Sequence, residues 1–366
     1  MSKLFTPGKT FVIVCALLSS CNAGLLPSQR TESSGLSSVK IPQTLVKDQG
    51  QVGFCWAYAM MAFIESETLR TTGQTQDLSE EYLALYRIAG ELAADVRAGT
   101  LTSAEIEKKI MGSEYEGWFV RLPDRWDAEA TDAFEMVDMF GVVTESEWGV
   151  KFAKTPGLFE PSRMLNGNYK PDLVKILSTL DKDSTDADFV RAVAESFGKD
   201  MPPAGHKIKL KSKDYVALWA EKASDVPDMI TLAKKTLARG IAVPMGYGVS
   251  FSKLSKSNYM WQGGGSRKVA DYTKLTKKQA QKAYAYDGGH AILLTDFVND
   301  GGREDGISAS ALSAEVAKSW DALSYFKFKN SWGSSTGSMP PGFYRIDTSY
   351  MLGTAQAGSL DVMVPR

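Results

Sequence analysis

The chain has 366 residues, enough for one large domain or two packed lobes. Hydrophobic residues make up 43% and charged residues 23%, ordinary for a soluble globular protein. Lys and Arg number 42 against 43 Asp and Glu, a net charge of −1, which argues against nucleic acid or an anionic membrane surface as partner.

The first 21 residues differ from the rest. Lys3 and Lys9 precede an apolar run from Phe11 to Leu18, and then comes Ser19-Ser20-Cys21. A short basic segment, a short apolar core and small residues predict an export signal over 1–21, too short to span a bilayer. Leu18-Ser19-Ser20-Cys21 also resembles a bacterial lipobox, in which Cys21 is acylated. Simple cleavage after Ala23 is the alternative. Residues 22–40, rich in Ser with Gly24, Pro27 and Gly35, read as a flexible tether. Of the three cysteines, Cys15 and Cys21 belong to this export segment, so Cys55 is the one thiol of the body and no intramolecular disulfide framework is expected there.

Apolar residues at helical spacing begin at Cys55 and run to Arg70, predicting a helix with one apolar face. Ser79-Glu80-Glu81 opens a second helix, and Ala130, Phe134, Val137 and Phe140 define a third, stopped by Gly141. Phe189, Val190, Val193 and Phe197 predict a helix capped by Ser184. Asp228–Arg239, closed by Gly240, predicts another. Strands are expected at 241–243, 291–297, 325–329 and 342–346, between Gly-rich loops. Helices precede strands, so the fold class expected is α+β with two lobes.

A thiol at a helix N-terminus sits among unpaired N–H groups and the positive end of the helix dipole, and both favour the reactive thiolate. Gln49 lies six residues upstream across a Gly-containing turn, from which its amide can reach an oxyanion beside the Cys55 N–H. The chain has only two histidines. His206 sits in a polar Pro/Gly loop and reads as a surface residue. His290 follows Asp287-Gly288-Gly289 and leads into the apolar strand Ala291–Leu294. Downstream, Asn330 precedes Ser331-Trp332-Gly333: an amide oxygen that can orient an imidazole, beside an indole that can shield the bond from water.

These segments together resemble the papain family of cysteine peptidases. Gln49, Gly50, Gly53, Cys55 and Trp56 match its nucleophile motif, Gly289-His290-Ala291 its histidine motif, and Lys329-Asn330-Ser331-Trp332-Gly333 its asparagine motif. Weaker matches extend the likeness over roughly 41–148 and 228–348. Val52 stands in place of a disulfide cysteine and Phe54 in place of a small residue. The family's Cys-x-Gly-Gly segment has no counterpart near Gly112 and Gly117. The Cys55-to-His290 spacing exceeds the about 130–150 residues usual in the family, with the excess mainly at 150–227.

The resemblance implies a helical lobe over 41–227 with an insertion at 150–227, a β-rich lobe over 228–366, and an active site between them. Cys55 is the implied nucleophile, His290 its base, Asn330 the orienting residue, Gln49 an oxyanion donor and Trp332 a supporting shield. The expected substrate is a peptide or protein. No metal or other cofactor is implied, and a membrane enters only through a lipid on Cys21. A non-peptide amidase or acyltransferase on the same residues, or a non-catalytic binding protein, are the alternatives. The insertion is expected either to narrow the substrate cleft or to pack away from it.

Overall fold

Helix α1, Cys55–Thr72, begins where the apolar spacing begins. It is not amphipathic in the expected way: every residue from Cys55 to Glu67 is buried. An all-round buried helix needs partners for its polar residues. Ser66 donates to the Pro42 carbonyl (2.7 Å), and Glu67 pairs with Arg70 (2.7 Å), where the helix reaches solvent. The computed structural model describes residues 41–49, 53–100, 102, 105, 108, 130–152, 170–197, 208–255, 260–261, 265–302, 309–333 and 342–366. The expected export signal, the tether, Gly112, Gly117 and His206 lie outside them.

The described chain forms two compact units. The first holds Gln49–Ala57 and Asp77–Asp214. Its helices are α2 (Glu80–Arg97), α3 (Ala130–Phe140), α4 (Glu145–Phe152), α5 (Lys170–Ser178) and α6 (Asp186–Phe197). The Ser79 hydroxyl caps α2 by accepting from the Tyr82 N–H, and Gly141 takes a left-handed φ of 75° to end α3. Tyr82, Tyr86, Phe140, Trp148 and Phe189 make a contiguous aromatic core; Tyr86 stacks on Phe140 at 4.4 Å and meets Phe189 edge-on at 5.9 Å. Burial raises the Tyr86 hydroxyl to about 12, so it stays protonated.

One helix is added here and one expected cap changes. Thr144 and Glu147 exchange side-chain and backbone bonds as a capping box that starts α4. Thr185, not Ser184, caps α6, since its hydroxyl accepts from the Asp188 N–H while Asp188 accepts from the Thr185 N–H. The Ser184 hydroxyl instead serves the preceding turn, accepting from the Asp181 N–H.

The second unit holds 41–48, Tyr58–Gln76 and Tyr215–Arg366. Its centre is a seven-stranded sheet ordered β1-β7-β2-β4-β5-β6-β3. The strands are β1 (Tyr215–Ala220), β2 (Val243–Val249), β3 (Met260–Trp261), β4 (Gly288–Asn299), β5 (Leu323–Lys329), β6 (Phe343–Asp347) and β7 (Leu360–Pro365). All pairings are antiparallel except β3 with β6. Helix α7 (Val226–Ala238) packs on the sheet through Met229, Ile230, Ala233 and Leu237, all buried.

Strand β2 starts at Val243 rather than Ile241, because the Ile241 N–H bonds the Thr236 carbonyl and helps close α7. The rest of β2 was hidden by Gly246 and Gly248. Both are glycine for space: an added Cβ would lie 2.1 Å from the Asp361 carboxylate at one and 2.4 Å from the Ala285 Cβ at the other. Strand β1, inside the segment read as an insertion, pairs with β7 along its whole length. Helices α8 (Lys277–Tyr284) and α9 (Thr348–Gln356) carry no clear periodic signal in the sequence but pack against each other at Gly353.

Helix propensity alone makes Gly353→Ala stabilising by about 1 kcal/mol. The new Cβ would sit 2.4 Å from the Tyr284 ring, which is buried and has the Lys253 ammonium over its face. Overpacking of that kind costs about 1–3 kcal/mol. Urea unfolding of Gly353→Ala is therefore expected to show a net loss of stability, against the gain that propensity predicts.

Candidate active site

In the first unit, Cys55 is the first residue of α1, and its thiol side chain is buried together with Phe54 and Trp56. Phe54 and Trp56 meet edge-on at 6.4 Å, and the Ala57 N–H bonds the Phe54 carbonyl (2.9 Å), so the turn entering the helix is packed and closed. No acidic side chain lies in the first turn to oppose a thiolate. Gln49 is buried, while Gly50, Gln51 and Val52 lie outside the described residues.

In the second unit, His290 stands near the start of β4, opposite Tyr247 of β2 in the ladder. Asn330 follows the last residue of β5, and its backbone N–H bonds the Gly342 carbonyl at 2.9 Å. The two side chains meet: His290 Nε2 lies 2.7 Å from Asn330 Oδ1. The Ser331 N–H also donates to that oxygen, at 2.9 Å. A backbone N–H can only donate, so the shared amide atom is the oxygen. An oxygen can only accept, so His290 Nε2 carries a proton and Nδ1 is the basic nitrogen of the neutral ring.

Trp332 stacks on the imidazole at 4.6 Å with an interplanar angle of 27°, and Tyr247 meets it edge-on at 5.9 Å. Trp261, fully buried, touches Tyr247, Trp332 and Tyr350 within the same cluster. This shell excludes water from the His290–Asn330 bond. It also disfavours charge: burial pushes the His290 pKa from 6.5 down to about 4, partly offset by the hydrogen bond to Asn330. The imidazolium therefore needs a counter-charge to exist at neutral pH.

The structure thus brings together His290, Asn330 and Trp332 within the second unit. Tyr247 and Trp261 were not anticipated. Tyr247 lies in a strand obscured by glycines, and Trp261 beside a Gly-rich segment with no motif. Cys21 lies outside the described residues. Among the described residues no group of three or more His, Cys, Asp and Glu is placed to hold a metal, and no helix is long and apolar enough to cross a membrane.

No protein-family model matches the sequence, and no curated protein matches it significantly. Solved structures do. The crystal structure of PepW from Lactobacillus rhamnosis HN001 aligns at TM-score 0.50 and 16% identity, over 88% of this chain and 80% of that one. The bromelain protease from Ananas comosus in complex with the E64 inhibitor aligns at TM-score 0.35 and 14% identity, over 88% and 93%. The proform of the ragweed allergen Amb a 11, a cysteine protease, aligns at 0.38 and 13%, over 88% and 62%. These neighbours are papain-like cysteine proteases, and the chain has a papain-like α+β fold.

Asn330→Ala would leave the buried Nε2–H of His290 without its acceptor. An unsatisfied buried donor costs about 1–3 kcal/mol. Chemical denaturation should show a loss of that order. The ¹⁵N spectrum should show the Nε2–H tautomer giving way to a mixture.

Proposed function

We propose that the protein is a cysteine peptidase in which Cys55 is the nucleophile, His290 the base and Asn330 the orienting residue. The observation that supports this most is the double-anchored Asn330 oxygen. It holds His290 in the one tautomer that leaves Nδ1 for proton transfer, under a ring that keeps water out. The thiol at the start of α1 supplies the matching nucleophile, since the helix terminus favours its anion.

The reaction runs through a thioester. The Cys55 thiol gives its proton to His290 Nδ1, the resulting thiolate attacks the carbonyl carbon of the scissile amide, and the carbonyl oxygen becomes an oxyanion stabilised by the Cys55 N–H and the Gln49 amide. The C–N bond then breaks, and the proton on His290 Nδ1 goes to the leaving amine. A water molecule attacks the thioester and gives its proton to His290. The C–S bond breaks to restore the thiolate and release the acid. Nothing in this sequence of steps distinguishes a peptide amide from another amide, so an amidase or acyltransferase stands as the second reading.

Cys55→Ala and His290→Ala should each abolish hydrolysis of unfolded protein substrates. Gln49→Ala should lower kcat by roughly a hundredfold, about 3 kcal/mol of oxyanion stabilisation. Labelling by a peptidyl epoxide, read by peptide mass mapping, should fall on Cys55 alone. Near-normal turnover in His290→Ala would overturn the base assignment, and acyl-enzyme formation from simple amides but not peptides would favour the second reading.

We also propose that the chain is exported and that Cys21 carries lipid. Mass spectrometry of the mature N-terminus in a bacterial host should find acylated Cys21; an unmodified Gly24 terminus would show simple secretion.

A further inference from the structure

The segment that carries Asn330 and Trp332 is held from behind by residues 41–48. The Gly333 N–H bonds the Lys47 carbonyl (3.4 Å), and Asp48 forms a β-bridge with Trp332. Two glycines make this close approach possible. An added Cβ at Gly333 would lie 2.6 Å from the Asp48 carboxylate, and at Gly342 2.1 Å from Val46. Gly342 is also the residue whose carbonyl receives the Asn330 N–H. The 41–48 strap therefore touches the backbone on both sides of the orienting asparagine.

One hydroxyl ties this strap to the sheet and to α1. Thr44 Oγ1 donates to Glu65 Oε2 and accepts from the Lys329 ammonium at 2.8 Å. Lys47 bonds the other Glu65 oxygen at 3.2 Å, and the Tyr58 hydroxyl reaches the Asp48 carbonyl at 3.5 Å. Glu65 is 1% and Lys329 6% exposed, and Lys329 immediately precedes Asn330. Buried ionic groups of this kind contribute little net stability, because desolvation offsets their attraction.

We propose that Thr44 is a positioning residue for the proposed catalytic pair. Its hydroxyl joins the Glu65 carboxylate to the Lys329 ammonium, and so locks the end of β5 and the Asn330 oxygen that orients His290. The kinetic part of this claim rests on the peptidase reading above, whereas the structural part does not.

The test compares Thr44→Val, nearly isosteric but without the hydroxyl, with Thr44→Ser, which restores it. Because the chain has two histidines, the ¹⁵N-histidine spectrum of the full chain resolves His290 simply, and His290→Gln assigns it. Thr44→Val should shift or broaden the His290 Nε2–H resonance and lower kcat about tenfold with KM nearly unchanged, as expected for a misaligned base. Thr44→Ser should return both to wild type. An Nε2–H resonance in Thr44→Val identical to wild type would overturn the proposal, whatever happens to stability. Should Thr44→Val not fold, Thr44→Ala is read in the same way, and failure of both while Thr44→Ser folds with an altered resonance also counts against it. A wild-type chain without turnover would sink the peptidase reading alone, since the resonance is read without substrate.

Discussion

The bond between His290 Nε2 and Asn330 Oδ1 is the contact around which the second unit is arranged. It is 2.7 Å long and buried, and its acceptor is pinned by a second donor from the backbone of Ser331. Strand β4 brings the histidine and β5 the asparagine, and these two strands are adjacent in the sheet. The bulge between Leu294 and Asp296 changes the β4–β5 register, so that Leu293 rather than a residue further along faces Lys329. The aromatic shell of Tyr247, Trp261 and Trp332 then closes over the ring from β2, β3 and the loop after β5. Each of these elements would serve a sheet core equally well, but only together do they leave a neutral imidazole with one committed and one basic nitrogen.

That arrangement has an energetic consequence. The same burial that protects the hydrogen bond pulls the imidazole toward neutrality, with a pKa of about 4. An isolated ring of this kind would be an inefficient general acid at neutral pH, because almost none of it would be protonated. A thiolate would reverse the balance, since an opposite charge in a poorly solvated site favours the imidazolium strongly. On the proposed mechanism, the nucleophile and the base would therefore depend on each other for their charge states, and would titrate as a unit.

Much of this was readable in the sequence, for reasons that differ by element. Cys55, His290 and Asn330 announce themselves because each lies at the boundary of a strongly patterned segment, where a helix or strand holds the side chain rigidly. Helices α2 and α3 were legible through their cap and stop residues, Ser79 and Gly141. Strand β2 was blurred because Gly246 and Gly248 answer to Asp361 and Ala285, distant in sequence, rather than to strand propensity. Helix α9 was missed because its residues are buried on nearly all sides, which removes the amphipathic period. Burial likewise disguised α1, whose Glu65 looks like a solvent-facing residue and instead anchors Thr44 and Lys47. Tertiary demands of this sort leave no local trace.

The most direct measurement of the central claim is the titration of His290 by ¹⁵N spectroscopy in the wild-type chain and in Cys55→Ala. If the two residues share a charge, the wild-type imidazole will remain protonated up to and beyond neutral pH, and in Cys55→Ala it will lose its proton near pH 4, the value that burial alone dictates. Identical titration curves in the two proteins would show that Cys55 and His290 do not act as a pair, and would contradict the account.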